Sequence, residues 1–177
     1  MKEDILNISN LHNLVDYNGR KLFGAEKLLE NVLPEWIIKA GSISLKNVLH
    51  QYLDLIKHNI ENLKIFINNE GVGKLSRAND IMQAFILDIR EQLSNCTDVE
   101  IEDACLLSCI QSINHYKIYM YGTAATYAKA LDNQETAAIF HRAKLNEEEI
   151  DHSLTQLAKT EINIRARNKT LLSNNND

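Results

Sequence analysis

Residues 99–131 carry apolar side chains at alternating steps of three and four or close multiples, through Leu106, Ile110, Ile113, Met120, Ala124, Ala128 and Leu131. A repeat sustained over that length is the apolar stripe of a helix packed against other helices. The series runs 106, 110, 113, 117, 120, 124, and position 117 is a lysine. An ammonium at the centre of a dry stripe is tolerable only when it is paired and hydrogen-bonded. The chain is therefore expected to bring carboxylates to Lys117 from other helices. The competing reading is that its long stem lets it snorkel to a rim.

Three further long helices are predicted. Residues 11–39 place Val15, Leu22, Leu29, Leu33 and Trp36 on one face, with a local distortion expected at Pro34. Gly41-Ser42 closes that helix, and Ser42 or Ser44 is the expected cap of the next, over 45–68. Its broad apolar face holds Leu45, Val48, Tyr52, Leu55, Ile56, Leu63 and Phe66, and "NNEGVGK" then breaks the pattern. A shorter amphipathic helix is predicted over 77–94, with Ile81, Met82, Phe85, Ile86, Ile89 and Leu93. Thr97 or Asp98 caps the helix over 99–131, "LDNQE" turns the chain, and the last helix covers 134–166. Short links inside each pair and a long helical crossover between the second and third long helices give an all-α, ferritin-like four-helix bundle. A single domain over 1–170 and a flexible polar tail over 171–177 complete the expected organisation.

Composition narrows the function classes. Net charge is −5, which argues against nucleic acid as a partner, since that needs a dense basic face. The one basic run, Arg165, Arg167 and Lys169, reads as a solvated helix end. The start "MKEDILNISN" lacks the apolar region of a secretory signal, and no apolar run approaches the roughly 20 residues of a membrane span. A cytoplasmic protein is expected, with no membrane partner. Cys96, Cys105 and Cys109 form no C-x-x-C and read as reduced, small core residues rather than a zinc or redox site. "EGVGKLS" is not a phosphate-binding loop, and no nucleophile–base set stands out.

Bundles of this plan place chemistry in the core, so polar residues on the stripes are the candidates. The first long helix offers Glu26, in the series 22, 26, 29, 33, 36. The last offers Glu147, in the series 143, 147, 150, 154, 157. The second offers Asn59, and Asn114 sits one turn before Lys117. These five residues are expected to form an internal Glu-Lys-Glu cluster bridged by the two amides. A metal between Glu26 and Glu147 is the alternative, opposed by the ammonium and by the small number of anionic ligands. Glu149 and His152 form a Glu-x-x-His, but at about 100° per residue they fall on the outer face of their helix. Asp54 and His58 likewise lie off the apolar face.

The stretches "LFGAEKLLENVLPEW", "NHYKIYMYGTAATYAKAL" and "EEEIDHSLTQLA" resemble the YciE/YciF-like ferritin-like family of bacterial stress-associated proteins. The resemblance covers about residues 11–160 and implies a di-metal carboxylate ancestry. The family's third long helix typically reads Glu-His-Tyr-Glu, whereas this chain has Asn114-His115-Tyr116-Lys117. The family's second helix usually carries an acid followed by Thr, at positions that correspond here to Leu55 and Ile56. Glu26 and Glu147 match the acids of the outer two. The resemblance thus implies a stress-associated protein, a homodimer, with a vestigial metal site and no cofactor or catalytic residue. Two alternatives stay open. One is an iron- or manganese-binding protein with oxidase-like or detoxifying activity, its ligands Glu26 and Glu147 with His115 or Asp151 recruited. The other is an oligomeric interaction scaffold that uses Ile81, Phe85 and Ile89 of the crossover helix.

Overall fold

The computed structural model describes residues 8–69 and 79–173, with side chains to residue 168. Four long helices form the bundle: α1 (Leu11–Lys39), α2 (Ile43–Asn69), α4 (Val99–Ala130) and α5 (Gln134–Leu157). The crossover carries α3 (Asp80–Ser94), and α6 (Asn163–Ser173) extends the last helix. Hairpins α1–α2 and α4–α5 pack side by side, α1 on α4 and α2 on α5, while α3 lies across α1 and α4. This is the expected ferritin-like plan. The sequence motif "EGVGKLS" and the expected start of α3 at residue 77 fall outside the described residues, as do the first seven residues and the tail from residue 174. Among the described residues, no helix is long and apolar enough to cross a membrane.

Local chemistry sets the helix ends. Asn10 caps α1 by accepting from the Asn13 amide at 2.9 Å. Pro34 sits inside α1. At the α1–α2 turn the Ser42 hydroxyl accepts from the Leu45 amide, so Ser42 is the cap. A second cap comes from far along the chain: Asp103 on α4 accepts from the amides of Gly41 and Ser42 at 2.7 and 2.8 Å. A carboxylate at the positive end of α2 is favoured by the helix dipole as well. Gly19 lets α1 and α2 approach, since a Cβ there would stand 2.2 Å from the Phe66 ring. Between α4 and α5, Asp132 adopts a left-handed conformation (φ 56°), and Asn133 caps α5 through the Thr136 amide.

The last helix departs from expectation. It is not regular from 134 to 166: residues Ala158–Ile162 form a π turn, and helical structure continues to Ser173. The stripe explains why. Ile150, Leu154 and Leu157 are buried, and a regular α-helix would next bury position 161, a glutamate. The π turn inserts one residue, so Ile162 is buried instead. Glu161 stays at the rim, where it accepts from the Ser42 hydroxyl at 2.6 Å.

The crossover helix bears on the scaffold alternative. Ile89 is buried and Phe85 stacks obliquely on Tyr116, ring centroids 5.9 Å apart. Two of the three residues assigned to an interaction surface therefore cover the bundle, and only Ile81 is exposed.

Candidate functional site

Glu26, Asn59, Asn114, Lys117 and Glu147 meet in the middle of the bundle, all of them buried. Each lies on the inner stripe of its helix, so the 3-4 periodicity that buries the leucines buries these groups too. The Lys117 ammonium sits 2.8 Å from Glu26 Oε2 and 2.7 Å from Glu147 Oε1, with both partners and the lysine 0% exposed. It does not snorkel. The contact with Glu26 is an ion pair off the hydrogen-bonding direction of Oε2.

Two tyrosines complete the cluster. Lys117 Nζ donates to the Tyr52 hydroxyl at 3.2 Å, and that hydroxyl donates on to Glu147 Oε2 at 3.0 Å. The ammonium also lies 4.6 Å from the centroid of the Tyr52 ring, within cation–π range. Tyr121 donates to Glu26 Oε1 at 2.6 Å. Asn59 turns its amide nitrogen to both acids, at 3.0 Å from Glu26 Oε1 and 3.2 Å from Glu147 Oε1. Asn114 donates to Glu147 Oε2 at 2.8 Å. Both amides thus present N–H to anions and keep their carbonyl oxygens away, which is the orientation electrostatics requires.

One ammonium against two carboxylates leaves an excess negative charge in a dry core. Burial pushes the Glu147 carboxyl up to about 6, the Lys117 charge opposes this, and the charge of Glu26 adds to it. Burial alone would lower the Lys117 ammonium, but Glu147 and Glu26 hold it well above the usual lysine range. Burial, then the nearby carboxylates, push both phenols up, so Tyr52 and Tyr121 act as neutral hydrogen-bond donors.

These residues do not fit a divalent metal while Lys117 stays in place. The four carboxylate oxygens already face Lys117, Tyr52, Tyr121 and the two amides. A metal would have to enter where the ammonium bridges the acids, against its like charge. The other two residues of the metal alternative lie elsewhere. His115 is largely exposed and bonds Asp151 at 2.9 Å; Gln111 joins them by donating to Asp151 and Thr155. Among the described residues, no group of three or more His, Cys, Asp or Glu side chains could hold a metal ion. The Glu149–His152 pair and the Asp54–His58 pair are exposed on outer faces, as the periodicity predicts.

Sequence reasoning missed Tyr52 and Tyr121. Both signals were present: Tyr52 lies seven residues before Asn59 on one stripe, and Tyr121 lies one turn after Lys117. On α2 the cluster is reached by Tyr52 and Asn59, while Leu55 is only partly buried and Ile56 is an apolar core residue.

A family described as a domain of unknown function, DUF892, matches residues 10–167. The protein YciF of Escherichia coli K12 is 26% identical over 165 residues, spanning 93% of this chain and 99% of its own length. The crystal structure of the E. coli stress protein YciF superposes with a TM-score of 0.82 at 25% identity, covering 88% of this chain and 99% of that one. YcfI of Rhodopseudomonas palustris gives a TM-score of 0.82 at 21% identity over 86% and 98% of the two chains. A Xanthomonas campestris protein gives 0.74 at 14% identity over 91% and 99%.

Proposed function

The chain belongs to the DUF892 family, and from that premise we propose that it is a non-catalytic, stress-associated bundle protein in which Lys117 stands in for a metal. One observation carries this reading: the ammonium bridges Glu26 and Glu147 at 2.8 and 2.7 Å, with all three side chains inaccessible to solvent. A lysine there supplies a tethered positive charge between two acids that would otherwise repel each other. The carboxylate oxygens all face the ammonium, the phenols or the amides, and the three charged groups are sealed from solvent, so the cluster holds the bundle together rather than turning over a substrate. The similarity to YciF, described as a stress protein, supports the stress association.

The test is metal analysis of protein purified without chelator and then incubated with ferrous iron or manganese. Less than a tenth of an equivalent of bound metal is expected. One equivalent or more, retained through desalting, would overturn the proposal and restore an iron- or manganese-binding role.

A second reading concerns assembly. Ile38 and Ile43 flank the α1–α2 turn and are 79% and 75% exposed. Two aliphatic side chains this open at one pole of the bundle support a homodimer that covers them. Sedimentation at micromolar concentration is expected to show a dimer, and Ile38→Glu with Ile43→Glu to shift it to monomer. A monomer in the unmodified protein would refute this reading.

A further inference from the structure

The three cysteines, separate from the central cluster, gather at one point beside α3. Cys96 lies in the α3–α4 link, after the Asn95 cap of α3 and before the Asp98 cap of α4. Cys105 and Cys109 are one turn apart on α4. Gln92 of α3 holds them together. Its amide nitrogen donates to Asp88 at 2.6 Å, which turns its carbonyl oxygen to the thiols of Cys105 and Cys109, both at 3.7 Å. The Cys96 thiol donates to the Gln92 backbone carbonyl at 3.5 Å. Gln92 thus sits between Cys96, on its backbone carbonyl, and Cys105 and Cys109, on its side-chain oxygen. Only Cys109 is buried; Cys96 and Cys105 are partly open to solvent. The expectation of three small core residues therefore holds for Cys109, in part for Cys105, which packs against the core while partly open, and not for Cys96.

We propose that Cys96 and Cys105 are a dithiol modification site, which a low-molecular-weight disulfide such as oxidised glutathione converts into an intramolecular disulfide. Geometry selects the pair. Cys105 and Cys109 are four residues apart on one regular helix, where the Cβ atoms are too far apart for a disulfide without distortion. Cys96 follows the last turn of α3, its amide donating to the Leu93 carbonyl at 3.2 Å, and lies before α4 begins, so a shift of the link brings its sulfur onto Cys105 without unwinding either helix. The steps balance. The Cys96 thiolate attacks the glutathione disulfide, forms a mixed disulfide and releases one glutathione thiolate. The Cys105 thiolate then attacks Cys96 Sγ and expels the second. The protein loses two electrons and two protons, and one oxidised glutathione becomes two reduced ones.

The environment favours the oxidised form. Burial pushes the thiols of Cys96 and Cys105 above the ordinary range. A reduced form whose thiolates are destabilised makes a disulfide harder to reopen, the converse of strongly oxidising dithiols with stabilised thiolates. The same effect makes the attack slow at neutral pH and faster as pH rises.

The experiment equilibrates the full chain in glutathione buffers of graded ratio, blocks free thiols and digests after acidic residues. Glu100 and Glu102 lie between the two cysteines, so a disulfide shows as two joined peptides. The expected result is one intramolecular bond in the unmodified protein and in Cys109→Ser, absent in Cys96→Ser and in Cys105→Ser. Oxidation should raise Tm by about 5 °C, from closing a loop of roughly ten residues. Glutathione adducts alone, a bond between chains, or a bond that survives Cys96→Ser would each overturn the proposal. Thermal melts of the reduced serine variants confirm that the fold is kept.

Discussion

Replacing Lys117 with methionine keeps the apolar stem and removes the charge. In the native cluster the ammonium touches both acids, at 2.8 and 2.7 Å, and none of the three is exposed. Without it, two buried carboxylates face each other with only neutral donors around them. Removing one partner of a buried ion pair costs about 3–5 kcal/mol. For a chain of this size each kcal/mol lowers Tm by about 2–4 °C, so a drop of roughly 10 °C is expected at neutral pH. The deficit should depend on pH. The variant relieves itself by protonating one glutamate, and each unit of pH between that carboxyl's unfolded pKa and its raised folded pKa adds about 1.4 kcal/mol. Hence the gap to the native protein narrows toward acid and widens toward alkali. Urea unfolding across the neutral range, on both backgrounds with and without Glu147→Gln, measures it. Glu147→Gln should be less damaging in Lys117→Met than in the native chain, because the cycle removes the unpaired charge. An unchanged midpoint, or a gap that is the same in mild acid and mild alkali, would refute the reasoning.

Three further outcomes follow from the same geometry. Glu147 binds its proton more tightly folded, at about 6, than unfolded, so the native protein should lose stability as pH rises from about 4.5 to 6, by on the order of 2 kcal/mol, opposite to an ordinary salt-bridged acid. A stability curve that instead rises across that window would contradict the buried excess charge. Tyr121→Phe removes the 2.6 Å donor to Glu26 and leaves a buried anion short of a partner; a loss of about 1–3 kcal/mol by chemical denaturation is expected, against none if the hydroxyl is idle. Gly19→Ala puts a methyl 2.2 Å from the Phe66 ring and should cost about 1–3 kcal/mol, whereas Gly122→Ala, whose nearest neighbour is the flexible Lys144 stem at 3.7 Å, should be neutral or stabilising.

Much of this molecule was legible in its sequence because helices are local. The 3-4 stripes placed α1, α2 and α4 to within two residues of their observed ends. They also put Glu26, Asn59, Asn114, Lys117 and Glu147 on inner faces, and the energetics of a buried ammonium then required the two acids to meet it. Other features depend on which helices become neighbours, and no local pattern carries that. Tyr52 reads as a core aromatic, and Tyr121 carries no signal beyond its place one turn after Lys117, until the bundle sets their hydroxyls against Glu147 and Glu26. Asp103 shows nothing particular along the chain, an acid in the second turn of α4, until the fold places it over the amides that open α2. The π turn at Ala158–Ile162 exchanges Glu161 for Ile162 in the core, a choice made by the packing of the last helix and not by its propensity. Cys96, Cys105 and Cys109 show no motif along the chain. Only the return of the chain from α3 into α4 sets their sulfurs around Gln92, because side-chain proximity across a turn is a property of the three-dimensional path.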